Sequence, residues 1–181
     1  MSVIVVEFIT LDGVVDDPDG SAGTAFGGWA FRHGPEAVAG DKFRLGPLLD
    51  TGTLLFGRTT WELFAKLWPG RTGEFPDRLN AARKLVASRT LTDVTAWNNS
   101  SLLKGELVEA VKREERDVIV IGSIGIAREL AGHDLVDEYR VLVFPSVAGA
   151  GRRLFDGAAA DLRLVSSTQV GSAVLSTYRT R

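Results

Sequence analysis

Val118-Ile119-Val120-Ile121-Gly122-Ser123-Ile124-Gly125-Ile126-Ala127 is the stretch that decides the fold class of this 181-residue chain. Four consecutive β-branched residues predict a strand covered on both faces, as the centre of a parallel sheet is. Two glycines and a serine follow at once and open a segment with helical character. Strand, turn and helix in direct succession are the repeating unit of an α/β sheet.

Outward from this stretch the alternation continues. Strand-like runs are expected at residues 3–9, 54–56, 84–87 and 94–97. Between them, Phe43, Leu45, Leu48 and Leu49, then Trp61, Phe64 and Leu67, then Leu103, Leu107 and Val111 fall at three- and four-residue spacing and predict crossover helices. Ser100 or Ser101 is the expected cap of the third helix. Trp61 and Trp68, seven apart, are read as core. After residue 134 the pattern changes to three strands, 138–144, 162–170 and 173–178, and Val170-Gly171-Ser172-Ala173 predicts a tight hairpin turn. The expected architecture is α/β in three α-β-α layers, with a mixed, mostly parallel sheet and a C-terminal antiparallel hairpin. No repeat or linker divides the sequence, so one domain spanning 1–181 is expected.

Composition narrows the chemistry. Cys is absent, which removes disulfides, thiolate metal sites and Cys nucleophiles. His33 and His133 lack ligand spacing, so no metal site is expected. A formal charge of −2 with mixed signs gives no footprint for nucleic acid or an anionic membrane. The apolar start at residues 3–6 is interrupted by Glu7 and is too short for a signal peptide or a membrane span, so the expected location is the cytoplasm.

Three expected strand ends carry small or hydroxyl residues. Gly122-Ser123-Ile124-Gly125 offers bare backbone at a helix N-terminus, where free amides and the dipole favour phosphate, although glycine in such a turn also serves packing alone. Gly57-Arg58-Thr59-Thr60 adds hydroxyls and a guanidinium fork; the bland alternative is a capped helix with a solvated arginine. Ser88-Arg89-Thr90 repeats the theme. Ligands of open α/β sheets lie beyond the carboxyl ends of the strands, and two arginines suit the extra phosphate of NADPH. Thr10-Leu11-Asp12-Gly13 closes the first strand. Asp12 is the candidate for orienting a substrate or delivering a proton, against a plain Asp-Gly turn. Trp29 either stacks on a flat ligand or folds onto the core. The glycine-rich segment 12–35 reads as a binding loop or lid, with a disordered insertion as the alternative.

The ordered set of Thr-Leu-Asp-Gly at 10–13, Gly-Arg-Thr-Thr-Trp at 57–61, Ser-Arg-Thr at 88–90, Ile-Gly-Ser-Ile-Gly at 121–125, Leu-Val-Asp-Glu-Tyr-Arg at 135–140 and Gly-Ala-Gly-Arg-Arg-Leu-Phe at 149–155 resembles the dihydrofolate reductase superfamily. Within it, the set is similar to the branch of the bacterial riboflavin-biosynthesis reductase domain. The resemblance implies NADPH lying across the strand ends, and commonly a homodimer. By the family pattern Gly57, Arg58 and Thr59 would lie on cofactor phosphates, and Ser88 and Arg89 on the adenosine side. Gly122, Ser123, Ile124 and Gly125 would take the pyrophosphate, while Asp12, with Thr10 and the loop around Trp29, would face nicotinamide and substrate. Glu36 or Asp41 stands where folate reductases hold the pterin, without the surrounding motif, which speaks against dihydrofolate. The expected function is NADPH-dependent hydride transfer to a small, heterocyclic substrate. The competing readings are a non-catalytic nucleotide- or ligand-binding module and a phosphate-binding domain of another kind.

Overall fold

A computed structural model describes residues 1–157 and 159–181. Among them, eight strands form one mostly parallel sheet: β1 (Val3–Thr10), β2 (Thr53–Gly57), β3 (Arg83–Ala87), β4 (Ser100–Leu102), β5 (Val118–Ile121), β6 (Glu138–Phe144), β7 (Leu162–Val170) and β8 (Ala173–Thr180). Their spatial order is β4-β3-β2-β5-β1-β6-β8-β7. Two compact units share the chain, the first Met1–Ile4 with Leu45–Leu135, the second Val5–Arg44 with Val136–Arg181.

In the first unit β2 runs parallel to β3 and to β5, and β3 runs parallel to β4. Leu54, Leu55, Phe56, Val118, Ile119 and Val120 are buried, as expected for strands covered on both faces. The crossover helices are α2 (Gly46–Thr51), α3 (Arg58–Leu67), α4 (Glu74–Ala81), α5 (Leu107–Lys112) and α6 (Ile124–Gly132); α1 (Pro35–Val38) belongs to the second unit.

Two expectations here are corrected. Residues 94–97 are irregular, and the strand that follows β3 is β4. Asp93 accepts the Thr95 amide and hydroxyl in a local turn, while Trp97 turns inward and donates to Asn80 Oδ1 at 2.7 Å. Ser100 and Ser101 therefore lie in β4, opposite Lys84 and Leu85, and α5 starts later, after Glu106. Trp61 is core, its Nε1 donating to Ser100 Oγ at 3.0 Å, whereas Trp68 is half-buried.

Lys84 organises this region from inside β3. Fully buried, it donates from Nζ to the carbonyls of Asn80, Ala82 and Asn98 at 2.9, 2.7 and 3.1 Å, 4.4 Å from the centre of the Trp97 ring. Its ammonium thus satisfies carbonyls at the C-terminus of α4, which that helix leaves without intrahelical partners. Burial pushes the amine down to about 8, while three acceptors and a ring face favour the charged form.

The second unit is built on antiparallel pairing. β8 lies between β6 and β7, with a two-residue turn at Gly171 and Ser172, as the sequence predicts. Gly171 has φ +59°, and a β-carbon there would lie 3.1 Å from the Ala37 amide nitrogen, so the position requires glycine. Trp29, Ala30, Ala37, Leu142, Phe144, Ala173 and Leu175 form the core, with Phe8 against Phe144 and Phe43.

The long loop after β1 is folded around Asp17. Its carboxylate accepts the Ala22 and Thr24 amides, each at 2.9 Å, and the Thr24 hydroxyl at 2.7 Å. A β-carbon on Gly27 would run into that carboxylate. The loop glycine at 27 therefore serves close packing around a buried acid.

The Lys84→Met variant keeps the bulk of the stem but leaves three carbonyls without their donor. Urea unfolding is expected to show a loss on the order of 3 kcal/mol, since each buried polar group left unpaired costs about 1–3 kcal/mol.

Candidate functional site

In the first unit, the carboxyl ends of β2 and β5 are joined through side chains from the turns that follow them. The Gly57 amide donates to Ser123 Oγ at 3.0 Å, Ser123 Oγ donates onward to the Ile121 carbonyl at 3.3 Å, and Thr60 Oγ1 donates to the Gly122 carbonyl at 2.8 Å. Gly122 has φ +63°, and a β-carbon there would press on the Thr60 methyl at 3.2 Å. Parallel register puts Gly57 beside Ala87 of β3, and Leu55 beside Val120 of β5. The three strand ends named from the sequence therefore share one rim of this unit.

Both α3 and α6 begin at that rim without side-chain caps. Neither Thr59 nor Thr60 caps α3, and Ser123 occupies the N-cap position of α6 but spends its hydroxyl on Gly57 and Ile121. The first intrahelical bond of α6 is Ala127 N–H to the Ser123 carbonyl at 2.9 Å, which leaves the amides of Ile124, Gly125 and Ile126 as donors with no carbonyl behind them. Gly125 is exposed, with open space where a β-carbon would stand. Two uncapped helix N-termini, side by side and floored by glycine, fit the pyrophosphate of a dinucleotide.

The flanking residues are placed as follows. Arg58 is half-exposed and forms a 3.3 Å pair with Glu62, an exposed contact worth little and readily exchanged for a phosphate. Thr59 is exposed. Ser88 Oγ accepts the Thr90 and Leu91 amides at 3.1 and 3.0 Å, so it shapes the turn after β3 and its acceptor capacity is used internally. Arg89 is exposed on that turn.

In the second unit, the residues after β1 and β6 are stitched to each other. Leu11 donates its amide to the Ser146 carbonyl, and Val15 to the Arg152 carbonyl. Asp12 accepts Thr10 Oγ1 at 2.6 Å and the amides of Ala148 and Gly149 at 3.0 and 2.8 Å. The Thr10 hydroxyl, first among these donors, and the two amides hold the Asp12 carboxyl down at about 2. These donors hold Asp12 as a carboxylate and make it an anchor for the 145–157 loop. Thr10 is buried and positions Asp12. Trp29 is buried too, donating from Nε1 to the Asp16 carbonyl at 2.9 Å and packing edge-on against Phe144; of its two readings, folding onto the core is the one observed, and no ring face is left for stacking.

Sequence reasoning missed two features. Asp16 holds Arg152 through its backbone amide at 2.7 Å and through Nε at 2.8 Å. Glu7, in the middle of β1, is 4% exposed, and its Oε1 has no hydrogen-bond partner among the described residues. Burial pushes Glu7 up to about 8, against the attraction of Arg152 and with added repulsion from Asp16. The signal was available: one acid inside a β-branched run is a residue that burial would otherwise reject.

The family described as the RibD C-terminal domain matches residues 1–176. An uncharacterized protein YyaP of Bacillus subtilis (strain 168) is 27% identical over 114 residues, covering 57% of this chain and 58% of that protein, so the match spans little more than half of the curated relative. Among solved structures, a protein described as a riboflavin biosynthesis protein from Shewanella sp. PV-4 superimposes with a TM-score of 0.75 at 20% identity, over 100% of this chain and 99% of the other. A pyrimidine reductase-like protein from Corynebacterium diphtheriae gives 0.63 at 10% identity, over 99% and 92%. These likenesses establish the dihydrofolate reductase-like fold.

Glu7 gives the stability a definite pH signature. Between pH about 4.5 and about 8 the unfolded chain releases this proton while the folded chain keeps it, so the contribution of Glu7 falls as pH rises through that window and is level outside it. The slope is about 1.4 kcal/mol per pH unit for one such group. Urea midpoints from pH 5 to 8 are expected to decline less steeply in Glu7→Gln than in the wild type.

Proposed function

The chain belongs to the RibD C-terminal domain family, and from that premise we propose that it is an NADPH-dependent reductase of a small heterocyclic substrate, working as one reductase domain over residues 1–181. The observation that carries this reading is the pair of uncapped helix N-termini joined at the ends of adjacent parallel strands. When bound, the nicotinamide supplies the hydride, and the protein supplies position and electrostatics.

Thr59 and the α6 first-turn amides at Ile124 and Gly125 are the residues that hold phosphates, with Gly57 beside them, its own amide engaged by Ser123 Oγ. Gly122 and Ser123 shape the floor, Gly122 by its left-handed backbone and Ser123 by its bond to Gly57. Arg58 and Arg89 supply guanidinium groups for the phosphate that distinguishes NADPH from NADH. Ser88 keeps the Arg89 turn in shape. Asp12 fixes the loop that follows β6 and presents a constant negative charge there.

A homodimer is part of the proposal. β7 is a nine-residue edge strand whose Leu164 and Val165 are 54% and 43% exposed, and such an edge is ordinarily paired or shielded. No helix among the described residues is long and apolar enough to cross a membrane, and the proposed location is the cytoplasm. Because Asp12 is ionised and Trp29 is buried, a nucleotide-binding module without turnover is the second reading; bound NADPH that no pterin, pyrimidine or quinone oxidises would select it.

NADPH titration checks the cofactor. At 100-fold excess over its Kd the cofactor is expected to stabilise the fold by about 2.7 kcal/mol. Gly125→Asp adds a charge in open space at the α6 N-terminus, so it is expected to leave the melting temperature intact and weaken NADPH about tenfold, roughly 1.4 kcal/mol. Arg89→Ala is expected to weaken NADPH and leave NADH unchanged. Equal affinity for NADPH in wild type and Gly125→Asp would remove the phosphate site from α6.

A further inference from the structure

We propose that the amino-end rim of the sheet in the first unit is a binding site for a small organic phosphate, gripped by Arg78, Arg83 and Arg116. This rim is opposite the one at which α3 and α6 begin, and the site stands whether or not those helices hold a cofactor. A surface cavity of about 650 Å³ lies there, lined by residues from the ends of α2 and α4, the starts of β3 and β4 and the turn before β5. That volume falls among small-molecule sites, about 300–1,000 Å³, and far exceeds a single inorganic ion.

Charge points to the kind of occupant. Three arginines reach the lining from separate segments against one acid, Asp50. Clefts lined by one sign of charge concentrate the opposite ion, so their convergence favours an anion. The Arg116 side chain is exposed and forms no hydrogen bond or ion pair among the described residues. Arg78 lies 3.7 Å from Asp50 and 3.8 Å from Glu74, beyond hydrogen-bond length and with both acids exposed, contacts that a phosphate readily replaces. Arg83 is held more firmly, donating from Nη1 to Thr53 Oγ1 at 2.9 Å and to Glu114 at 2.7 Å, with Nε and Nη2 left over among the described residues.

The fold does not need these guanidinium groups as helix caps. The carbonyls that α4 leaves at its C-terminus are taken by other donors, Asn80 and Ala82 by Lys84 Nζ and Ala81 by Asn99 Nδ2 at 2.9 Å. Ser100 also lines the cavity; its hydroxyl accepts from Trp61 Nε1 and keeps its own proton for a ligand. Guanidinium forks match phosphate oxygens in pairs, while Leu49 and Ala82 give an apolar floor for the organic part.

Phenyl phosphate is the probe, titrated into the full chain and read by proton–nitrogen NMR of the backbone amides and the arginine Nε–H groups. Saturable shifts are expected at Arg78, Arg83, Arg116 and Ser100 with a Kd below about 1 mM, while phenol, which lacks the anion, shifts none of them. Arg116→Ala is expected to keep the melting temperature and to weaken phenyl phosphate about tenfold, the worth of one charge-assisted contact. Gly125→Asp is expected to leave this affinity unchanged, which separates the site from the rim proposed for NADPH. Loss of binding in Gly125→Asp with none in Arg116→Ala would place the anion at α6 and overturn the proposal. So would silence at the three arginines up to about 10 mM, or equal shifts with phenol.

Discussion

The bond from the Gly57 amide to Ser123 Oγ, 3.0 Å long, is the constraint on which the proposed site depends. It joins the end of β2 to the turn after β5, and the Thr60 hydroxyl closes the same junction from the other side by binding the Gly122 carbonyl. A serine hydroxyl has one proton and two lone pairs, and Ser123 uses its proton on the Ile121 carbonyl while accepting from Gly57. The hydroxyl that would ordinarily cap α6 is thereby withdrawn from its amides, and those donors are left for a ligand. One residue both fixes the geometry of the rim and keeps it polar.

A different device shapes the loops of the second unit. Three aspartates close together in sequence, Asp12, Asp16 and Asp17, each collect backbone amides or a guanidinium from segments distant in the chain or folded back upon it. A carboxylate that accepts several N–H bonds orders irregular backbone at little cost in hydrophobic area. Asp12 and Asp17 are consequently held charged, whereas burial holds Glu7 neutral. Carboxyls in one unit thus meet opposite environments.

Much of the fold was legible because its signals are local. The β-branched run at Val118–Ile121 and the strands Glu138–Phe144 and Leu162–Val170 announce themselves through composition and turn residues, and the Gly171 turn follows from the need for positive φ. Residues 94–97 misled for a tertiary reason: Val94 and Trp97 are both buried, and Trp97 packs against Lys84 and Asn80, a contact made across the fold that periodicity does not record. The glycines and arginines of the rim could be named from spacing alone. That Ser123 would bond Gly57, that Trp29 would face the core and that Asp12 would be pinned as an anion depend on segments up to 137 residues apart in sequence. Those roles emerge only with the fold.

The account stands or falls on where a dinucleotide lies in the first unit. A crystal structure with NADPH bound is the most direct measurement. The account predicts pyrophosphate oxygens within hydrogen-bond distance of the Ile124 and Gly125 amides, with a guanidinium of Arg58 or Arg89 on the remaining phosphate. Density for the cofactor away from the ends of β2 and β5 would contradict it.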